Sequence, residues 1–240
     1  MRSFARVLEE GLEELNVAFS PGQMKQCIFY VSLMLEWNKK MNLTSIVQEE
    51  EMAIKHFLDS VAGGLYMEWE GAECLLDMGT GAGFPGLVLK IWRPELELVL
   101  VDSVQKKVRF LQEVVQQLEL EKVTLVHSRA EVVGRDRSWR EKHDLVVARA
   151  VASLSVLAEY CLPLVRPGGF FCAYKGPDCR EELAEAGLPI SLLGGQVREV
   201  HQYSLPGRNE GRTLVAIEKT GNTPSSYPRR SGVPGKRPLK

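Results

Sequence analysis

Residues 75–86 read Leu75-Leu76-Asp77-Met78-Gly79-Thr80-Gly81-Ala82-Gly83-Phe84-Pro85-Gly86. Apolar residues run into an acid, and four glycines then fall within eight positions. A buried strand that must stop, turn sharply and feed a helix needs this pattern. Glycine accepts positive φ and leaves no Cβ in the way of a ligand. Pro85 suits the first turn of a helix, where its missing N–H removes no hydrogen bond. Such a helix start turns free N–H groups toward whatever lies above the strand end. The stretch predicts a nucleotide-like ligand at the carboxyl end of the first strand of an open parallel sheet.

Downstream, strand and helix patterns alternate. Residues 74–78 are the first strand, and a helix from Pro85 carries Leu87, Val88 and Ile91 and ends before Pro94. Residues 96–101 are an apolar run suited to burial on both faces. Ser103 caps a helix with Val104, Val108, Leu111, Val114, Val115 and Leu118. Strands follow at 123–126, 144–148 and 170–174, with a short helix or loop at 130–133, a helix at 153–164 and a turn at 167–169. The alternation implies a parallel sheet with helices on both faces. Residues 197–205 and 212–218 then read as two strands with no helix between them, which makes them an antiparallel hairpin. The fold class is α/β: a Rossmann-like class I methyltransferase sheet ending in an antiparallel hairpin. A nicotinamide dinucleotide domain would continue β-α-β.

Upstream, Phe4, Val7, Leu8, Leu12 and Leu15 form a helical stripe. Ser20-Pro21-Gly22-Gln23 is a helix start with capping-box spacing, followed by Met24, Cys27, Ile28, Val31, Met34 and Leu35 at helical intervals. Asn38 to Thr44 is a polar break, and Glu49 to about His56 is helical again, with acids in its first turn where the dipole favours them. The expected organisation is an N-terminal helical extension over 1–60, a cofactor-binding domain over 61–220 and a basic flexible tail over 221–240. The tail is read as mobile from its Gly, Pro, Ser, Arg and Lys composition.

The 240 residues are 45% hydrophobic and 25% charged, an ordinary globular balance with a net charge of −1. No global field pulls the chain to nucleic acid. The charge is uneven, however: residues 221–240 hold five basic residues and no acid, which leaves −6 on the rest. A basic end on an acidic body marks a local polyanion contact. Five widely spaced cysteines, with no Cys-x-x-Cys, argue against a disulfide scaffold or a zinc site and for a reducing cytoplasm. No apolar run approaches the roughly 18–20 residues a bilayer span needs. The expectation is a soluble cytoplasmic monomer with no membrane contact and no metal.

Two glycine registers compete. Gly79-x-Gly81-x-Gly83 is the methyltransferase pattern, and Gly81-x-Gly83-x-x-Gly86 also satisfies the dinucleotide pattern. The first strand should end beside the first functional glycine, and Asp77-Met78 abut Gly79, which favours the former. Asp102, 23 residues past Gly79 at the end of the second strand, can accept both hydroxyls of an adenosine ribose. Its alternative role is a helix cap ahead of Val104. Ser128-Arg129-Ala130-Glu131 lies just past the third strand, where a backbone N–H and a carboxylate can recognise adenine; a capping box of Ser128 with Glu131 is the alternative. Arg149, after the fourth strand, points at the same crevice. It suits a methionine carboxylate or a substrate phosphate, or else an ion pair with Asp77 or Asp102.

The fourth strand ends Ala148-Arg149-Ala150-Val151, not in the Asn/Asp-Pro-Pro-aromatic run of exocyclic-amine methylation, and no cysteine sits near it to attack a pyrimidine. A nucleophile with a lone pair and no proton to lose, such as guanine N7, fits this better. Its rate gain comes from holding N7 in line with the methyl carbon. No catalytic side chain is assigned. Two other readings stand beside this one: a nicotinamide-dependent oxidoreductase and a non-catalytic RNA-binding module that kept the fold.

Together these residues resemble the ribosomal RNA small-subunit methyltransferase G family, also called glucose-inhibited division protein B. The resemblance runs through Trp37-Asn38-Lys39-Lys40-Met41-Asn42-Leu43-Thr44, His56-Phe57-Leu58-Asp59-Ser60, the Gly79–Gly86 loop, Arg149-Ala150-Val151-Ala152, Tyr174-Lys175-Gly176 and Tyr227-Pro228-Arg229-Arg230. Met78-Gly79-Thr80 departs slightly, since members often carry Val or Ile and Ser around this glycine. The resemblance implies S-adenosyl-L-methionine-dependent transfer of a methyl group to N7 of a guanine in 16S ribosomal RNA, presented as RNA or as a small-subunit particle. It implies cofactor contacts at Gly79, Phe84, Ala130, Glu131 and Arg149. Lys39, Lys40, Lys175, Arg229 and Arg230 are the expected RNA contacts; a solvated helix end is the alternative for Lys39 and Lys40, and a disordered solubilising end for the tail. His56 and Asp59, three apart on one helical face, read as an RNA contact or as a satisfied structural hydrogen bond.

Overall fold

The computed structural model describes residues 1–240. Seven strands form one sheet: β1 (Cys74–Met78), β2 (Glu97–Asp102), β3 (Val123–His127), β4 (His143–Arg149), β5 (Val165–Lys175), β6 (Gly195–Ser204) and β7 (Gly211–Lys219). Their order is β3-β2-β1-β4-β5-β7-β6. The first five run parallel, and β7 lies antiparallel between β5 and β6. The expected hairpin is therefore present, with its second strand on the inside.

Strand order reverses between β1 and β4, and open α/β sheets bind ligands outside the strand ends at such a point. The register carries the turn there. Asp77 pairs with Val147 and Met78 with Val101, so Gly79 leaves the sheet level with Arg149 on one side and Asp102 on the other. Gly79 N–H and Thr80 N–H both donate to Val101 O, which stitches the turn to β2.

Alternation along the strands splits the core in two. Leu98, Leu100, Leu145 and Val147 face one cluster, whereas Val99, Val101, Val146 and Ala148 face the other. The first cluster is completed by α1 (Arg2–Glu14), α2 (Pro21–Asn38) and the helical run that follows them. Phe4, Tyr30 and Phe57 pack against the sheet here, so the N-terminal helices are the cover of one sheet face and share its core. The other face carries α8 (Leu154–Cys161) and α9 (Arg180–Leu192).

The capping box at α2 forms as its spacing predicts: Ser20 Oγ accepts Gln23 N–H, and Gln23 Oε1 accepts Ser20 N–H. Gln23 also donates to the carbonyls of Ile91 and Trp92 at the end of α5 (Gly86–Trp92), joining two helices through one side chain. The helix expected from Glu49 continues to Gly64 as α3 (Glu49–Met52), a π-helical turn (Ala53–Leu58) and α4 (Asp59–Gly64). Such turns often mark functional positions. No helix is long and apolar enough to cross a membrane.

Several expectations are corrected. Ser103 does not cap the helix α6 (Gln105–Gln117), which begins after Val104; the acceptor there is Asp102, whose Oδ1 takes Val104 N–H. The alternative capping box of Ser128 with Glu131 is also absent, because the N-cap of α7 (Ala130–Val133) is Arg129, one residue past Ser128. Strand β5 starts five residues before the expected 170, with the Pro167–Gly169 turn inside its span. The sequence reading assigned no element to the stretch that forms α9, where Pro189 and Gly187 interrupt the helical signal.

The largest correction is the tail. Much of residues 221–240 is held on the body, with Thr223, Pro228 and Pro234 buried and a short helix, α10 (Val233–Lys236), near the end. Arg140 donates to the carbonyls of Thr223 and Tyr227, and Arg135 to those of Ser226 and Pro228. Thr223 N–H donates to Glu141. A hydropathy reading misses this because the holding groups are backbone carbonyls on the tail matched to arginines on the body, and few apolar side chains are used.

Candidate active site

Two cavities meet at the glycine turn, and Gly79 lines both. The smaller, about 320 Å³, runs between the ends of β2 and β3 and is lined by Asp102, Ser128, Ala130, Glu131, Val151 and Tyr160 among others. Gly79 has φ of +70°, and a Cβ there would lie 2.7 Å from Val151 Cγ2. A side chain at this position would press on Val151 in the wall of the smaller cavity. Gly86 is required by packing instead: a Cβ would come within 2.8 Å of Asp77 Oδ2.

Two carboxylates fix this end of the sheet. Asp102 is buried, and its Oδ2 accepts Gly81 N–H at 2.9 Å while its Oδ1 accepts Val104 N–H at 2.8 Å. An ionised carboxylate has about four lone-pair sites, so two remain for ligand hydroxyls. The cap role and the ligand role are thus compatible. Asp77 is fully buried, and its Oδ2 accepts Thr80 Oγ1–H and Gly86 N–H. Burial pushes its carboxyl up to about 6, against the lowering effect of those two hydrogen bonds and of Arg149. Its other oxygen has no partner.

The larger cavity, about 630 Å³, opens between the turn, the π-helical segment and the end of β5. Phe84 and His56 stack there with ring centres 4.6 Å apart, and the Arg149 guanidinium lies 5.4 Å above the Phe84 ring. Arg149 pairs with Asp59 at 2.7 Å and donates to Lys55 O; it bonds neither Asp77 nor Asp102. Tyr203 and Arg212, from the terminal hairpin, also reach Asp59, at 3.3 and 3.6 Å. His56 and Asp59 do not bond to each other: His56 Nε2 meets Thr44 Oγ1 at 3.0 Å. Burial, helped by the Arg149 charge, drives the imidazole down to about 3, so it is neutral at physiological pH.

Of the residues singled out in the sequence, Gly79, Phe84, Asp102, Ala130, Glu131, Arg149 and Lys175 line these two cavities. Lys175 pairs with Glu182 at 2.7 Å and donates to Ala152 O. The remaining basic residues lie outside. Lys39 pairs with Glu36 on the surface, and Lys40 and Arg230 are exposed. Arg229 is tied to the buried carboxylate of Glu159, an arrangement that withdraws its charge from solvent. Asp59, Arg212, Tyr160 and Gly232 line or border the cavities without having been assigned a ligand role from the sequence. The one signal for Asp59 was its place in the His56–Ser60 segment; the others sit far along the chain and carry no motif.

The parallel sheet, the reversal at β1 and β4 and the inserted β7 define the class I methyltransferase fold. A solved structure with this architecture is a 16S rRNA (adenine(1408)-N(1))-methyltransferase from Catenulisporales acidiphilia, with a TM-score of 0.53 over 68% of this chain and 91% of that one, at 16% identity. At that identity the likeness speaks for the fold alone.

Sequence comparison goes further. The family model for rRNA small subunit methyltransferase G matches residues 23–210. Proteins named ribosomal RNA small subunit methyltransferase G from Alkaliphilus metalliredigens and Pelotomaculum thermopropionicum are each 48% identical to this chain. The first alignment covers 98% of both chains and the second 100% of both. The chain belongs to the rRNA small subunit methyltransferase G family.

Proposed function

We propose that this chain transfers the methyl group of S-adenosylmethionine to N7 of a guanine in 16S ribosomal RNA, as a cytoplasmic monomer acting on the RNA or on a small-subunit particle. The observation that carries the reading is the meeting of two cavities at Gly79, a residue where a Cβ would press on Val151 in the wall of the smaller one.

The residues present suit such a cofactor. Asp102 has acceptor capacity left for ribose hydroxyls, and Ala130 and Glu131 offer a backbone N–H and a carboxylate for adenine. When bound, the cofactor supplies a methyl group activated by a sulfonium charge. The larger cavity is then the place for the base, between Phe84, Arg149 and Lys175.

Chemistry at N7 asks the protein to orient and to exclude water, since the nucleophile has no proton to lose. The polar groups of the larger cavity agree with that. Asp59 is held by Arg149, Arg212 and Tyr203 and is not free to act as a base. His56 stays neutral and so adds no positive charge beside a sulfonium. The Arg149 charge is already matched by Asp59. None of the five cysteines lines either cavity, so the covalent route to a pyrimidine carbon has no nucleophile here.

The test is methyl transfer to small ribosomal subunits from S-adenosylmethionine labelled in the methyl group, followed by digestion to nucleosides. Label in 7-methylguanosine is expected. Label in a base methylated at an exocyclic amine or a ring carbon, or in none, overturns the reading.

A further inference from the structure

The smaller cavity has a wall that comes from the far end of the chain. Gly232 lines it, and Gly232 N–H donates to Glu131 Oε1 at 2.7 Å. Glu131 is a buried residue on a four-residue helix, and its second oxygen makes no hydrogen bond within the protein. The C-terminal segment thus holds one oxygen of a cavity carboxylate and leaves the other for whatever enters.

The segment is itself anchored. Three residues before Gly232, Arg229 gives its backbone N–H and two guanidinium N–H groups to Glu159, at 2.6–2.9 Å. The Glu159 side chain is only 1% exposed. It adjoins Tyr160, which lines the same cavity. A bidentate arginine on a buried carboxylate is a fixed geometry, because freeing either partner strands a charge. Between this anchor and α10, Gly232 takes φ of +81°, and its N–H meets the cavity carboxylate of Glu131.

We propose that Arg229 and Gly232 are positioning residues for recognition of the adenine amine: they fix the Glu131 carboxylate so that its free oxygen faces the exocyclic nitrogen. This rests on the reading of the smaller cavity as the adenosyl site. A glutamate held before binding loses less rotamer freedom when the ligand arrives. It also discriminates better, because a hypoxanthine ring presents a carbonyl where adenine presents an amine, and a fixed carboxylate repels it.

The test compares S-adenosylhomocysteine with its deaminated counterpart, S-inosylhomocysteine, by calorimetry on the full chain. The wild type should prefer the adenosyl ligand by about a hundredfold. Gly232→Pro removes the one N–H that reaches Glu131, and because proline cannot hold the φ of +81° found there the turn shifts as well. It should weaken the adenosyl ligand about tenfold and leave the inosyl ligand within about twofold. Thermal unfolding of the free protein should stay cooperative, with Tm lowered by the rearranged turn, so that the ratio of the two ligands carries the test. Arg229→Gln, which loosens the anchor, should move the ratio in the same direction. Equal weakening of both ligands would mean that the segment only shapes the wall, and an unchanged ratio would mean that it does not act on Glu131; either overturns the proposal. A wild type with no preference would instead overturn the adenine reading at Glu131, and the proposal with it.

Discussion

Asp102 Oδ2 accepts the N–H of Gly81 at 2.9 Å, so the last residue of β2 clamps the turn that follows β1. The clamp is the carboxylate proposed above as the acceptor of the ribose hydroxyls. Asp102→Ala should therefore lower S-adenosylmethionine affinity about a hundredfold, the sum of lost hydrogen bonds and a loosened turn. Calorimetry checks this; a loss under threefold would remove Asp102 from the site.

Gly79→Val combines a branched side chain at φ of +70° with a Cβ 2.7 Å from Val151. Positive φ alone costs about 1–2 kcal/mol for a residue with a Cβ. The expected outcome is a chain that still folds, with a lower Tm, and shows no measurable cofactor binding. Normal binding by this variant would put the site elsewhere.

Arg149 and Asp59 differ in what they leave behind. Arg149→Gln leaves Asp59 with Arg212 and Tyr203, and should cost about 1–3 kcal/mol. Asp59→Ala strands the Arg149 guanidinium, whose side chain is only 12% exposed, and should cost about 3–5 kcal/mol. Urea unfolding of the two variants gives the order directly, and equal costs would contradict this picture of the network.

Two buried groups set opposite pH trends. Asp77 titrates near 6 in the fold against 3.8 ordinarily, so native protein binds more protons than unfolded chain between these values, and stability falls as pH rises through that window. His56 titrates near 3 against 6.5 ordinarily, so the unfolded chain binds more protons between those values, and stability falls as pH drops through them. The two trends oppose each other between about 4 and 6. Relative to wild type, Asp77→Asn should remove a fall in stability between about pH 4 and 6, and His56→Gln a rise between about 3 and 6.5, while the other shifted groups, buried His143 among them, act alike in all three proteins. Urea midpoints across pH 3–7 check this; differences from wild type that do not vary with pH in either variant would contradict it.

Lys40 and Arg230 are exposed, whereas Lys39 and Arg229 already face acids. Lys40→Ala and Arg230→Ala should each weaken rRNA binding and lower the salt slope by about 1, with cofactor affinity unchanged. Filter binding at several salt concentrations would show it; slopes equal to wild type would take these residues out of the RNA interface.

The sheet was legible because its signals are local. An apolar strand, a glycine turn and an acid at the next strand end are each readable within a dozen residues, and β1 matches its expected bounds of 74–78. The expected cofactor residues converge for the same reason, since each lies at or shortly past a strand end. What was not legible depends on pairing across the chain. Asp59 joins a residue 90 positions away, and Glu131 one 101 positions away. The tail looked mobile because backbone carbonyls, which every residue has, hold it to Arg135 and Arg140. Arg229 looked free for RNA because nothing in its neighbourhood announces Glu159.

A crystal structure of the protein with S-adenosylhomocysteine tests the central claim most directly. The ligand should lie across Gly79, with its ribose hydroxyls on Asp102 and its adenine against Ala130 and Glu131. Density in another cavity, or a ribose that does not touch Asp102, would contradict it.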